Sequence, residues 1–157
     1  MKILKEKYDQ DKMIRFQNRF GEIFISKKNI INFPKGIIGI PSSKQFGISN
    51  FVNDPDSNFK LLQDIKNENL CFLVLPINLD NQFIARPDIE EAISSINLDI
   101  KNTSILLICS TKKEEKTDRT KLSFNAKAPI FIDLTYKLAY QHVLHNKNYS
   151  LNHIITK

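Results

Sequence analysis

Leu70-Cys71-Phe72-Leu73-Val74-Leu75 is an unbroken apolar run that ends at Pro76. A run of this length without polar alternation is typical of a strand that is buried on both faces. The segment from Ser104 to Ser110 repeats the pattern. We therefore expect these two segments to be the central strands of a β-rich domain.

Shorter segments outside these runs alternate apolar and polar residues, as half-buried strands do. Phe20 to Ile25 and Ile30 to Phe33 flank the turn Lys27-Lys28-Asn29, which predicts a hairpin between them. Turns are also predicted at 53–57 and 112–119, where turn-forming or mixed-charge residues cluster. The other predicted strands are Phe46 to Val52, Phe59 to Gln63, Leu122 to Phe124, Ile130 to Leu134 and Tyr136 to Leu144.

One short α-helix is predicted at about 88–96. Asp88 is expected as its N-cap, with Glu91 three residues later completing a capping box and Pro87 marking the entry. The buried stripe at helical spacing comprises Ile89, Ile93 and Ile96. One helix among many short strands favours a mainly β fold, a small antiparallel β-barrel that is closed or nearly closed.

The chain has 157 residues and a mass of 18.2 kDa, with 41% hydrophobic and 25% charged residues. This composition suits one globular domain, which we place at 16–157. Residues 1–15 carry charges among few apolar positions and are predicted to form a mobile arm or an extra edge strand. No apolar run approaches membrane-spanning length, so we expect a soluble cytoplasmic protein without membrane contact.

The formal net charge of +6 raises the possibility of nucleic-acid binding. Lysine supplies most of the positive charge and is scattered along the chain, whereas base readout and bidentate phosphate contacts favour arginine. Diffuse charge alone gives only salt-sensitive, nonspecific attraction. We therefore expect no direct nucleic-acid contact and keep a small RNA-binding β-barrel as the alternative function.

The residue types that usually carry catalysis or metal binding have structural explanations in this sequence. Cys71 and Cys109 each lie in an apolar run, where a thiol packs as a small hydrophobic group. His142 and His145 are three residues apart, which on a strand places them on opposite faces. We predict no catalytic residue, no cofactor and no metal site, and hence no enzyme.

Two turn-rich segments carry the strongest functional signal. Phe33-Pro34-Lys35-Gly36-Ile37-Ile38-Gly39-Ile40 is called the proline–glycine corner here, and Asn125-Ala126-Lys127-Ala128-Pro129-Ile130-Phe131-Ile132-Asp133 the alanine–proline corner. Proline fixes φ, and glycine allows conformations that a side chain forbids, so both segments are predicted to be shaped bends. The isoleucines of the first corner could contact a partner or plug the barrel end, and the residues alone leave both possibilities open.

Together with Phe59-Lys60-Leu61-Leu62-Gln63, with Gln141-His142-Val143-Leu144 and with the late Tyr149, the two corners resemble the motif series of the flagellar assembly factor FliW family. The order and spacing match over roughly 20–149. The chain departs from the family pattern at four positions where the family often has Pro, Phe, Leu and Asn: Ile38, Ile40, Ala126 and Asp133.

The resemblance implies a partner-switching function. Members of the family bind flagellin in the cytoplasm, and once flagellin is exported they bind the translational regulator CsrA and relieve its repression of flagellin synthesis. An amphipathic flagellin helix in an apolar groove is the expected contact. The +6 charge works against long-range attraction to a basic regulator. The expected partner-binding residues are Phe33, Pro34, Gly36, Ile37, Ile38, Gly39, Ile40, Asn125, Ala128, Pro129 and Gln141.

Overall fold

The computed structural model describes residues 12–51, 54, 56–113, 116 and 119–154. Within these residues the chain is mainly β, with one α-helix and 3-10 turns at Lys27–Asn29 and Ile100–Asn102. The elements are β1 (Met13–Asn18), β2 (Gly21–Ser26), β3 (Ile31–Asn32), β4 (Gln45–Asn50), β5 (Lys60–Asp64), β6 (Cys71–Ile77), α1 (Arg86–Ser95), β7 (Thr103–Lys113), β8 (Thr120–Phe124), β9 (Ile130–Asp133), β10 (Leu138–Gln141) and β11 (His153–Ile154).

Seven strands form a nearly closed ring, in the order β7-β6-β5-β4-β3-β10-β9, because β9 also pairs with β7. The closing ladder runs from Thr103↔Asp133 to Leu106↔Ile130. The other half of β7 turns away from β9 and pairs with β8, which in turn carries β11. The pairs are antiparallel except for a short parallel contact between β3 and β10. The predicted β-barrel with one short helix is confirmed.

Two hydrophobic cores share the walls of this barrel. The inner core takes side chains from every strand of the ring, together with Phe33 and Ile37 of the proline–glycine corner. The outer core lies between the barrel wall, the β1–β2 hairpin, α1 and β8. Strand β6 gives Val74 to the inner core and Leu73 to the outer one. This double layer explains why the two central strands are apolar on both faces.

The predicted hairpin between 20–25 and 30–33 is wrong. Strand β2 pairs with β1, whereas β3 pairs with β4 and β10. The 3-10 turn between them moves the chain from one layer to the other, because Ile25 packs in the outer core and Ile31 in the inner core. The β1–β2 hairpin lies against β4 at Gly47, where an added Cβ would stand 2.1 Å from the Ile25 side chain.

Helix α1 begins two residues earlier than predicted, and the predicted capping box is wrong. The N-cap is Ala85, which offers no side-chain bond, and Pro87 lies inside the first turn, where its missing N–H costs nothing. Asp88 instead accepts a hydrogen bond from the Tyr149 hydroxyl at 2.5 Å. The helix ends at Ser95, and Asn97, with a φ of 60°, closes it in a Schellman motif through paired main-chain bonds.

The strand predicted at 136–144 is shorter than expected. Asp133 accepts main-chain bonds from Thr135 and Tyr136, so the chain turns there and β10 begins only at Leu138. After Gln141 the chain pairs with the alanine–proline corner and leaves the sheet. This change of partner brings the two motifs together.

Two further predicted strand pairings match the structure. The antiparallel pairing of β4 with β5, and the hairpin from β7 to β8, are both confirmed. Residues 13–15 of the predicted arm lie in β1, while 1–11 and part of the turns at 53–57 and 112–119 are outside the described residues. In the part of the chain that the structure describes, no helix is long and apolar enough to cross a membrane.

Candidate protein-binding surface

The proline–glycine corner is a small hairpin that stands on the end of the barrel. Ile37 and Ile40 exchange main-chain hydrogen bonds, with N–O distances of 3.3 and 2.8 Å, which places Ile38 and Gly39 at the tip. Ile37 points into the inner core and is 4% exposed. Ile38 points to solvent and is 55% exposed. The corner therefore plugs the barrel with one isoleucine and presents the next one outside.

Gly36 fixes the base of this corner. Its φ is +67°, a conformation that costs other residues energy, and an added Cβ would lie 2.5 Å from the Pro41 carbonyl oxygen. Gly39 at the tip also has a positive φ, of +88°, but a Cβ added there would meet no described atom within 4 Å. The base is thus closely packed, and the tip is open.

The alanine–proline corner is held by bonds from its own side chains. The Asn125 carboxamide oxygen accepts from the Ala128 N–H at 2.9 Å. The Lys127 ammonium donates to the carbonyl oxygens of Leu144 and Asn146, at 2.7 and 2.9 Å. The N–H groups of His142 and Leu144 donate back to the carbonyls of Pro129 and Lys127. The segment 142–144 is therefore fastened along the corner.

Gln141 joins the two corners. Its carboxamide oxygen accepts from the Ile38 N–H at 2.8 Å, and its amide nitrogen donates to the Ala128 carbonyl at 3.1 Å. These contacts connect residues that are about a hundred positions apart in the chain. The structure thus brings together the segments that the sequence analysis singled out, with a single side chain between them.

The predicted partner-binding residues fall into two groups, one buried and one exposed or half-buried. Phe33, Gly36, Ile37, Ala128 and Pro129 are buried and shape the backbone from below. The exposed or half-buried members are Pro34, Ile38, Gly39, Ile40, Asn125 and Gln141. Of these predicted residues, only the second group has surface that a partner could cover.

Sequence reasoning did not include Val143 or His142 among the partner-binding residues. Val143 is exposed to 48% and follows Gln141 by two positions. We define the bridged face as Lys35, Ile38, Gln141, His142 and Val143. Both residues belong to the Gln-x-Val-Leu motif, which could have drawn attention to them. The sequence does not show, however, which side of that segment faces outward.

Helix α1 borders the bridged face through a histidine. The His142 ring nitrogen Nε2 lies 3.4 Å from the Ser95 hydroxyl, and the ring centroids of His142 and His145 are 6.1 Å apart. Burial lowers the pKa of His142, and the positive charges of His145 and Lys35 act in the same direction, while Glu91 opposes them. This edge of the face therefore favours the neutral imidazole.

The two cysteines pack as small hydrophobic groups. Cys71 and Cys109 are free thiols buried in the outer core, on the neighbouring strands β6 and β7, and burial raises their pKa values to about 11 and about 12. A thiol with so high a pKa is a poor nucleophile at neutral pH. Within the described residues, no three His, Cys, Asp or Glu side chains are grouped so that they could hold a metal ion.

The chain matches the model of the FliW protein family over residues 14–155. It is 32% identical over 139 residues to the flagellar assembly factor FliW of Ruminiclostridium cellulolyticum, covering 87% of this chain and 89% of that protein. It is also 28% identical over 145 residues to the FliW of Clostridium botulinum strain Alaska E43, covering 91% and 98% of the two chains.

A crystal structure of the flagellar assembly factor FliW has a similar fold, with a TM-score of 0.62 and 24% sequence identity over 90% of this chain and 95% of that one. The family match spans most of the chain and includes both corners and the glutamine between them. This chain therefore belongs to the FliW family of flagellar assembly factors.

Proposed function

We propose that this protein binds flagellin in the cytoplasm and, when free of flagellin, binds and antagonises the translational regulator CsrA. The protein then acts by changing partners and not by catalysis. Membership of the FliW family supports this function, and the bridged face provides a suitable surface. The proposal assigns contact to Ile38, Gln141 and Val143.

The observation that carries the proposal is the opposite orientation of two adjacent isoleucines. Ile37 fills the inner core, so the backbone of the corner is anchored, whereas Ile38 stands out of it at 55% exposure. Gln141 holds the Ile38 N–H from the other corner. An apolar side chain held rigidly on the surface loses little conformational entropy when a partner covers it, which favours binding.

A switch between two partners requires that their binding be mutually exclusive or energetically opposed. One small rigid face satisfies the first condition, because two polypeptides cannot cover Ile38 at the same time. Flagellin in excess would then keep the face occupied, and its export would release the protein for the regulator.

The direct test is to mix the purified protein with flagellin and to separate the mixture by size-exclusion chromatography. We expect a stable complex with the unmodified chain. Ile38→Asp should weaken the complex about tenfold or more, because it places a carboxylate in an apolar contact. Its melting temperature should change little, since the side chain is exposed.

Leu134→Asp is the matched control. Leu134 is 58% exposed and follows β9 directly, at the opposite end of that strand from Pro129. This variant should bind flagellin as the unmodified chain does. Equal weakening by both substitutions would show that the bridged face is not the contact surface. The absence of any complex with the unmodified chain would reject the proposed function.

Competition tests the second half of the proposal. CsrA should bind the free protein and be displaced by flagellin, and Ile38→Asp should reduce both interactions. Simultaneous binding of the two partners would contradict the shared face. RNA binding without either protein, falling steeply as salt rises, would favour the alternative of a small RNA-binding barrel.

A further inference from the structure

Strands β6 and β7 separate before either of them ends. Their ladder runs from Ile77↔Ile105 to Leu73↔Cys109, although β6 starts at Cys71 and β7 continues to Lys113. The end of β7 follows β8 away from the barrel. An opening therefore lies between the start of β6 and the end of β7.

Backbone groups on both strands point into this opening. The Asp64 N–H donates to the Leu70 carbonyl at 2.9 Å, so Leu70 directs its polar groups towards β5, and Cys71 directs its own towards β7. On the other strand, the Asn125 N–H donates to the Ile108 carbonyl, and by the same alternation Thr111 points towards β6. In the same register Cys71 and Thr111 would form the next hydrogen-bonded pair after Leu73↔Cys109, but the ladder stops before them.

A cavity of about 530 Å³ fills the opening. This volume lies within the range of ligand-binding sites and exceeds that of several amino-acid side chains. Its walls are mostly apolar, and a hydroxyl and a guanidinium stand at its edge: Phe20, Cys71, Leu73, Cys109, Thr111 and Arg19.

Arg19 supplies the positive charge. It lies in the two-residue turn between β1 and β2, with its guanidinium carbon 4.6 Å from the Phe20 ring centroid. It opposes the effect of burial on the pKa of Cys71, which indicates that its charge acts on the cavity. Among the described residues it forms no ion pair, so an incoming carboxylate would meet an arginine that is not already neutralised.

We propose that this opening is a docking site for an extended segment of a partner polypeptide. The segment adds main-chain hydrogen bonds at Cys71 and Thr111, places an aliphatic side chain in the cavity and directs an acidic residue to Arg19. Strand addition to an open sheet edge draws affinity from the main chain and selectivity from side-chain pockets. The site is separate from the bridged face and does not depend on the proposed function.

The probe is the acetylated and amidated peptide Thr-Val-Ile-Val-Glu, carrying a fluorophore for polarisation measurements. We expect it to bind and to shift the backbone amide resonances of 70–73 and 109–111. A peptide with Lys in place of Glu should bind at least fivefold more weakly, because it faces Arg19. A peptide with Pro in place of Ile should lose binding, because it lacks the central donor.

Exchanging the charge on the protein makes the test specific. Arg19→Glu should reverse the preference, so that the lysine peptide binds better than the glutamate peptide, and Arg19→Gln should abolish the preference. Lys28→Glu is the matched control, since Lys28 is exposed beyond the other end of β2 and the substitution changes the net charge equally. It should leave the preference unchanged.

The proposal would be overturned by no binding of the glutamate peptide, by equal binding of the proline peptide, or by no reversal in a folded Arg19→Glu variant. Resonance shifts confined to the bridged face would also overturn it. Ile38→Asp should not affect peptide binding, and this separates failure of the docking site from failure of the proposed function.

Discussion

Two glutamines, Gln63 and Gln141, each hold an irregular segment against the barrel, and they differ in what they leave accessible. Gln63 is completely buried at the end of β5. Gln141 is half-buried at the end of β10 and reaches the surface. The first secures the turn at 64–70, and the second joins the two corners.

The turn at 64–70 is closed around one side chain. The Gln63 amide nitrogen lies within 2.9 to 3.3 Å of the carbonyl oxygens of Asp64, Asn67, Glu68 and Leu70. Its oxygen accepts from the Asn18 side chain at the end of β1 at 2.6 Å. The carboxamide has polar partners on all sides, and an incoming partner protein has no access to it.

Among the described residues, the Gln141 side chain makes just the two bonds that connect the corners. Both ends of its carboxamide are used, yet the neighbouring Ile38 and Val143 remain exposed. The comparison shows that one residue type can serve purely as architecture or can position a surface. The two glutamines differ in burial and in the number of hydrogen-bonding groups that each side chain satisfies.

The largest effect is expected at Gln63. Gln63→Leu would leave the Asn18 amide and several buried carbonyls without their partner, so we expect the free energy of unfolding to fall by about 3 kcal/mol or more. Urea denaturation measures it. Gln17→Leu on the exposed face of β1 is the control and should change stability by less than about 0.5 kcal/mol. A similar loss in both variants would show that the buried amide has no special role.

The next effect concerns the rigidity of the corner that Gln141 holds. Gly36→Ala meets a positive φ and the Pro41 carbonyl, so we expect a loss of about 2–4 kcal/mol, whereas Gly39→Ala, with open space around it, should cost about 1 kcal/mol. Thermal unfolding of both variants compares them under one condition. Equal costs would mean that the base of the corner yields as easily as its tip.

A smaller effect on stability, with a larger one on binding, is expected at Gln141. Gln141→Ala removes two partly exposed hydrogen bonds, which should cost about 1 kcal/mol. Flagellin binding should fall about tenfold, because the two corners are no longer connected. Gln45→Ala on β4, which also loses a side-chain bond, is the control for binding. Unchanged binding by Gln141→Ala would place the contact elsewhere.

The sequence predicted the barrel because the buried strands carry a signal in their own residues. The unbroken run at 70–75 indicated burial on both faces, and two cores indeed meet at β6. Pairing depends on which residues meet in space, and so the partner of β2 was predicted wrongly. Gly47 shows the same limit, since its small size is required only because Ile25 lies against it.

The candidate site was likewise predicted only in part, because the sequence reports local features and not contacts between distant residues. The bends follow from Pro and Gly, which act locally, and both corners were located. The connection through Gln141 spans about a hundred residues and has no local signature. Nor does the sequence distinguish Ile37 from Ile38, because two adjacent isoleucines have the same chemistry and the backbone alone decides which of them is buried.

The smallest expected effect is a pH dependence of stability at the Gln141 site that the Gln63 site should not share. His142 follows Gln141, and its pKa is lowered by burial, by His145 and by Lys35, against the opposing charge of Glu91. The unfolded chain therefore binds a proton at this position more readily than the folded one, so this histidine's contribution to stability is complete above about pH 6.5 and declines as the pH falls below it.

We expect the unfolding free energy to decline between pH 7.5 and 5.5, and we expect His142→Gln to show less of that decline. His153→Gln, at the far edge strand β11, is the control and should keep the pH dependence of the unmodified chain. Because His142 belongs to the bridged face, flagellin binding should follow the same difference between the two variants, whereas the Gln63 turn should not respond. An identical pH profile in all three proteins would show that protonation of His142 is not coupled to folding.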